Sequence, residues 1–407
     1  MEETFQMKDS AYLANTIVFF DTHDSWLNLL PLVFTRPTSK LRVGITTILE
    51  KWSGYADKVA YQVAPYLQWA HDLPAASYED NSVYIAGNIL PTEDLVEAIK
   101  NLGENTRLIS GETLIAFRGT PAQWLERESS PAFEFPEEKL DIIVHIYDMF
   151  LRNAEWIKKD FMRLTSGRKS EGKLISCNII GDSSLLFLEE GAEAVGATFN
   201  TSEGPIYLGK NARVMEGACL RGPVAIGDNS QVNMLARIYP GTTLGAWCKV
   251  GGELKNVIIQ GYTNKSHDGF LGNAVIGKWC NIGAGCSASN LKNDYSPVKV
   301  WNYRTQHFEK TGLQFCGLIM GDHSKAGINT MFNTGTVVGV GCNIHGSGFP
   351  RNFIPSFSDG GASGFVDVSL PKFFETASRV MARRGLTLTE VDQRLFDHIF
   401  DYSKKFK

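Results

Sequence analysis

Leu208-Gly-Lys-Asn-Ala-Arg-Val214-Met-Glu-Gly-Ala-Cys-Leu220-Arg-Gly-Pro-Val-Ala-Ile226 places an aliphatic side chain at every sixth position, and Val232, Ile238, Leu244 and Val250 continue the series without a miss. Small residues stand two positions earlier (Ala212, Ala218, Ser230, Ala236, Thr242, Cys248), and glycine follows directly at Gly209, Gly227, Gly245 and Gly251. Neither the helical period of 3.6 nor the strand period of 2 yields a six. A hexapeptide repeat does: three six-residue sides close a triangular coil, and the aliphatic residue of each side stacks inward on its counterpart one coil away. The reading is a left-handed parallel β-helix.

The phase returns at Phe270, Ile276 and Ile282, and again at Met320, Ala326, Phe332, Val338 and Ile344. Neither intervening gap, 250 to 270 or 282 to 320, is a multiple of six, so both segments are expected to leave the coil. Loops that leave a rigid scaffold commonly carry binding chemistry. Beyond residue 350 the six-residue pattern stops. Apolar residues at helical spacing in Pro371–Met381 and in Leu395-Phe396 with Ile399-Phe400 then predict C-terminal helices that cap the coil.

The first half is built differently. Thr16–Phe20, Ser82–Ala86 and Leu114–Phe117 read as apolar strands, and Thr46–Trp52 and Thr92–Leu102 as helices, which implies a mainly parallel Rossmann-like α/β sheet. A longer helix is expected over 138–164. The divisions are then an α/β domain over 1–137, a helical linker over 138–172, the β-helix over 173–350 and a helical tail over 351–407. Arg36 and Lys40 fall in a loop at the carboxyl edge of this sheet, where α/β folds bind phosphates, and Asn88 ends a strand just before a helix. Each has a plain structural alternative: a solvated loop for the first two, an ordinary strand-to-helix turn for the third.

With 43% hydrophobic and 21% charged residues the chain is globular, and a net charge of −4 gives no basic field for nucleic acid or a membrane surface. No apolar run approaches the length of a membrane span, and residues 1–8 do not read as a secretion leader, so a cytoplasmic location is expected. The seven cysteines form no Cys-x-x-Cys pair, and most read as small buried thiols.

The segment Lys255-Asn-Val-Ile-Ile … Ser266-His267-Asp-Gly-Phe270-Leu-Gly … Asn281-Ile-Gly-Ala-Gly285 … Asn290 resembles the acetyltransferase domain of the bifunctional glucosamine-1-phosphate acetyltransferase / N-acetylglucosamine-1-phosphate uridylyltransferases, and of archaeal and Bacteroidetes-type sugar-1-phosphate nucleotidylyltransferases. The resemblance is good over about residues 205–350 and weak over 15–120. It implies that His267 is the general base that deprotonates the sugar amine, for which an imidazole suits neutral pH. It implies that Lys255 binds the sugar phosphate, with Arg237 replacing an arginine whose place Tyr239 takes. Phe270 stands where the family has tyrosine. Asn281 is implied to face the sugar and Asn290 the acetyl donor, with backbone amides around Ala284 facing the oxyanion and Lys292 and Lys299 contacting phosphates. Read alone, His267 is a surface histidine, Lys255 a solvated lysine, and Asn281 and Asn290 are turn residues.

The implied co-substrate is acetyl-CoA, the implied partners are a sugar-1-phosphate and a nucleoside triphosphate, and the implied assembly is a homotrimer through the β-helix. Mg²⁺ follows if the N-terminal domain is active. There the family's Gly-rich signature is replaced by Phe20-Asp-Thr-His-Asp-Ser-Trp-Leu27, and Asn88 takes the place of a metal-binding aspartate; either Asp21 or Asp24 then holds the metal, or the domain binds sugar nucleotides without turning them over. The expected function is acetyl transfer to a hexosamine-1-phosphate in amino-sugar nucleotide synthesis. The alternatives are a nucleotidylyltransferase whose β-helix builds the oligomer, and a non-catalytic two-domain scaffold.

Overall fold

The computed structural model describes residues 12–76 and 81–407; residues 1–11, which include the stretch read above as lacking a leader, lie outside it. The chain forms two compact units, the first holding Thr35–Leu41 and Thr46–Val144 with the chain up to Leu29, the second Leu30–Phe34, Arg42–Ile45 and His145–Lys407.

The first unit is a six-stranded mixed sheet in the order Ala56–Gln62, Ala14–Phe20, Ser82–Ala86, Thr113–Gly119, Thr106–Ser110, Ala132–Glu134. The first three strands are parallel, and Thr106–Ser110 and Thr113–Gly119 form an antiparallel hairpin. Ile17, Val18, Val83, Ile85, Ile115 and Phe117 are fully buried, as expected of strands covered on both faces. The helix expected over 138–164 begins ten residues later, at Asp148, and runs to Thr165. Residues 141–143 are instead extended, because Leu90 N–H donates to Asp141 O at 2.9 Å and Ile143 N–H to Asn88 O at 2.9 Å.

The second unit is a parallel β-solenoid. Its first side begins at Lys173–Ile175 and pairs in turn with 193–195, 213–214, 231–232, 249–250, 264–265, 281–282, 325–326, 343–344 and 358–361. All eight positions of the six-residue series are at most 2% exposed. The same stacks continue beyond the series, with Phe199 and Leu254 in line with Leu220 and Ile238, and Ile276 and Ile354 in line with Leu208, Ile226 and Leu244. Helix Asp148–Thr165 lies along this wall. Asn153 donates to Gly241 O at 2.7 Å, and Asp160 accepts from Ile45 N–H at 2.9 Å.

Three expectations change. First, residues 250–270 do not leave the coil. Val250 pairs with Lys265 and Leu254 with Leu271, so the coil shortens from 18 residues to 15 and then 17 while remaining continuous. Second, the inward residue is therefore Leu271, at 1% exposure, and Phe270 faces outward. Third, the coil passes residue 350, since Ile354 pairs with Val338 and Gly360 with Ile344. Only the later segment is a true excursion: Ile276 pairs with Met320, 44 residues on, and the inserted chain carries the hairpin Lys299–Asn302/His307–Lys310.

The C-terminal helices Leu370–Ala382 and Glu390–Ser403 cover the upper coils through rings, with Phe357 against Phe373 at 5.3 Å and His323 against Phe396 at 5.1 Å. Cys248, Cys280, Cys286, Cys316 and Cys342 are buried. Burial pushes the Cys280 and Cys316 thiols up to about 12, so they are inert apolar filler.

Candidate functional site on the solenoid wall

His267 lies in the turn that joins Asn264–Lys265 to the nine-residue strand Phe270–Lys278. Five consecutive carbonyls of this turn are held. Gly251 N–H donates to Lys265 O at 2.8 Å, Asn233 Nδ2 to Ser266 O at 2.8 Å, Gly285 N–H to Asp268 O at 2.9 Å and Glu253 N–H to Gly269 O at 3.0 Å. Lys265 Nζ donates to His267 O. Gly269 is obligatory here: its φ is +127°, and a Cβ would stand 2.0 Å from Cys286 O. The backbone is thus fixed from both neighbouring coils, while the His267 imidazole is exposed and has no hydrogen-bond partner among the described residues. A base needs that arrangement: a rigid mount with a free ring.

Lys265 was not singled out from the sequence. It occupies an inward slot between Val250 and Ile282 and is fully buried. Its aliphatic stem fills an aliphatic position while the ammonium reaches the corner. Burial lowers its pKa from 10.5 to about 8, with Cys286 and Asp268 opposing the drop. The motif Lys-Ser-His was the available signal.

On the outer wall beyond the turn, Lys255 pairs in register with Gly272, and Glu253 with Phe270. A side chain at Gly272 would stand 2.5 Å from Asn290 Nδ2 and 2.6 Å from the Phe270 ring, so the glycine admits both to the surface beside Lys255. Asn290 Nδ2 donates to Asn273 Oδ1 at 2.8 Å, which fixes the amide. Arg237, one coil below, pairs with Glu253 at 3.2 Å. The wall therefore brings together Arg237, Lys255, Phe270 and Asn290. Farther along, Lys292 and Lys299 line a 740 Å³ cavity with Arg351, Phe308, Thr334, Asn352 and Phe353. Arg351 is a third cation there that sequence reasoning missed, because it follows the end of the six-residue pattern. Lys292 donates to Ser296 Oγ at 2.6 Å.

Two other expected residues stand elsewhere. Asn281 is on the adjacent side of the prism, paired with Asn264. Around Ala284, the amides of Gly283 and Gly285 already donate to Ala326 O and Asp268 O at 2.9 Å, and so are committed to the coil.

In the first unit, Arg36 is 3% exposed and its Nη2 donates to Thr35 Oγ1 at 3.1 Å. Lys40 stands 6.0 Å from the Tyr61 ring centre, and burial followed by the Arg36 charge lowers its pKa. Asp21 accepts from Thr38 N–H at 3.1 Å, and burial raises its carboxyl pKa to about 6. Gly87 packs against it, for a Cβ there would lie 2.7 Å from Asp21 Oδ1. Asn88 uses its Nδ2 to hold Ile143 O at 3.0 Å. No cluster of three or more His, Cys, Asp or Glu able to hold a metal occurs among the described residues. Arg36 and Lys40 suit a phosphate, whereas the single Asp21 carboxylate is a sparse donor set for Mg²⁺, which takes several oxygens. No helix among the described residues is long and apolar enough to cross a membrane.

Residues 17–169 match the family described as sugar nucleotidyl transferase. The chain is similar to the bifunctional protein GlmU of Methanocaldococcus jannaschii, 38% identical over 115 residues that are 28% of each chain. It is also similar to the uncharacterized acetyltransferase YaiX of Escherichia coli, 31% identical over 34% of this chain and 60% of that one. It thus covers less than two thirds of these relatives' length. Among solved structures, the polysialic-acid-specific acetyltransferase NeuO aligns at 12% identity and a TM-score of 0.26, over 49% of this chain and 86% of that one, too distantly to bear on function.

Proposed function

We propose that this chain is a sugar-phosphate transferase of amino-sugar nucleotide synthesis, and that its solenoid transfers an acetyl group from acetyl-CoA to the amine of a hexosamine-1-phosphate. The observation that carries the reading is the His267 turn: five anchored carbonyls beneath one free imidazole, at the head of a wall that presents Lys255, Phe270 and Asn290. The likeness to GlmU and to YaiX supports the reaction class.

In this mechanism the sugar amine, as the free base, attacks the thioester carbonyl carbon. His267 takes the proton released as the C–N bond forms; the C–S bond then breaks and the thiolate leaves, to be protonated. Lys255 and Arg237 hold the sugar phosphate by charge. Phe270 offers a ring face to the sugar where a tyrosine would add a hydroxyl. Lys292, Lys299 and Arg351 hold the donor's phosphates, and Asn290 lies between these two ends. A trimer through the solenoid belongs to the proposal. The location we assign is the cytoplasm, where both substrates would be met.

A second reading concerns the first unit, favoured by its match to sugar nucleotidyl transferases and by the buried Arg36 with the half-buried Lys40. These residues hold a nucleotide's phosphates while a sugar-1-phosphate oxygen attacks the α-phosphorus and pyrophosphate leaves. One paired assay tests both. Thiol release from acetyl-CoA with a panel of hexosamine-1-phosphates reports the solenoid, and pyrophosphate release from UTP or dTTP with sugar-1-phosphates reports the first unit. Neither product with any pair leaves the non-catalytic scaffold.

A further inference from the structure

A second cavity, of 320 Å³, opens between the solenoid and helix Leu370–Ala382, on a side of the prism other than the one that carries Lys255. Its lining includes three cations, Lys325, Arg383 and Arg384, and no carboxylate. Arg384 Nη2 donates to Asn264 Oδ1 at 3.2 Å, but its Nε is buried with no hydrogen-bond partner. Lys325 Nζ donates to His323 O at 2.9 Å, and burial lowers its pKa. Gathering three positive charges in a concave, partly buried place is unfavourable unless an anion joins them.

The same cavity has an aromatic wall. Tyr262 and Trp279 line it, with ring centres 4.3 Å apart and planes 23° from parallel, and Trp279 stacks in turn on His323 at 6.0 Å. These three residues, with Trp247 below them, occupy one corner column of the coil. All have left-handed backbone, with φ between 54° and 62°. In the two coils beneath, Asn211 and Asn229 fill the same corner with φ 55°. Asparagine adopts that conformation readily, and bulky rings do not. The column changes from asparagine to rings at Trp247; higher up, His323 and Phe357 pack on Phe373, Phe396 and Phe400 of the C-terminal helices, while Tyr262 and Trp279 line the cavity.

We infer that this cavity is a binding site for a small phosphate monoester carrying a ring, a nucleoside monophosphate or a hexose phosphate, with Arg383, Arg384 and Lys325 on the phosphate and the Tyr262–Trp279 pair on the ring. The volume is at the small end for ligand sites and suits such a molecule, not a whole coenzyme. The inference is independent of the acetyl-transfer reading.

Titration calorimetry of the whole chain at low ionic strength tests it, with UMP, glucose 1-phosphate and inorganic phosphate as separate probes. One ring-bearing phosphate is expected to bind about tenfold more tightly than inorganic phosphate. Which one binds identifies the source of the ligand. Arg384→Gln and Arg383→Ala should each weaken binding about tenfold. Arg383 is exposed, so its variant keeps the fold. In Lys255→Ala, which removes sugar-phosphate binding at the acetyl-transfer wall, the binding component that the arginine variants weaken should persist, which separates the two sites. Three outcomes overturn the inference: no binding by any probe up to about 5 mM, a Kd regime still easily measured; binding unaffected by both arginine variants; or loss in Lys255→Ala of the arginine-sensitive component.

Discussion

Replacing Lys265 by methionine keeps the unbranched stem in its core slot and removes the buried charge. Burial holds the lysine pKa down from 10.5 to about 8 in the folded chain. Below pH 8 the group is charged in both states, and the folded state bears the full cost of burying it. Between about 8 and 10.5 the folded chain has released a proton that the unfolded chain still binds, so stability from this group rises with pH. Each pH unit of that window is worth about 1.4 kcal/mol, giving roughly 3 kcal/mol in all. The bond from Nζ to His267 O offsets part of the cost at neutral pH, about 1.5–3 kcal/mol for a charged donor. Lys265→Met should therefore be as stable as the parent at pH 7 or more stable by up to about 2 kcal/mol, and that advantage should disappear by pH 10. Urea unfolding midpoints of both proteins at half-unit steps from pH 7 to 10.5 give the comparison, and the other titrating groups cancel between them. Acetyl transfer should fall in the variant, because the His267 carbonyl loses its anchor. Parallel pH curves, or a variant weaker by more than about 3 kcal/mol at pH 7, would refute the reasoning by showing the ammonium to be solvated or strongly paired.

Gly272→Ala drives a Cβ into the Phe270 ring and the Asn290 amide, so KM for the sugar phosphate should rise several-fold with kcat less affected; steady-state kinetics read the split. Asp21, raised to about 6 by burial, binds a proton in the folded state that the unfolded chain releases near 3.8, so its contribution to stability falls as pH rises from about 4 to 6. Asp21→Asn should flatten that segment of the pH–stability curve and gain about 1–2 kcal/mol near neutrality, as denaturation at pH 4 and 7 would show. Ile276→Ala empties a fully buried position in the stack above Ile259 and should cost about 2–5 kcal/mol, measured as a lower urea midpoint.

The solenoid was legible because its period is a direct image of its geometry: Leu208 to Val250 stack as the six-residue spacing requires. The register was lost where a side is not six residues long. At Val250 to Leu254 the wall shortens, and Lys265 then stands in a slot where an aliphatic residue was looked for, so continuous coil read as an excursion and Phe270 was taken for its inward neighbour. The true excursion, residues 289–317, was legible from the same broken phase, which by itself does not tell an excursion from a shortened coil. In the first unit, Ala56–Gln62, partly exposed, and Thr106–Ser110, half-buried, carry too few apolar residues to stand out. The start of the helix at Asp148 was fixed by pairing of 141–143 with residues 88–90, a tertiary contact with no local signature. Of the candidate residues, Lys255, Phe270 and Asn290, singled out by resemblance, lie together on one wall. Arg351 and Lys265 needed the fold, since their roles depend on neighbours far away in the chain.

The measurement that bears most directly on the account is acetyl-CoA turnover with glucosamine-1-phosphate by the parent and by His267→Ala, each checked for an unchanged unfolding midpoint. The account predicts that the variant loses at least about a hundredfold in kcat/KM, the usual worth of a positioned base. Equal turnover by the two proteins, or CoA release by neither with any hexosamine-1-phosphate, would contradict it.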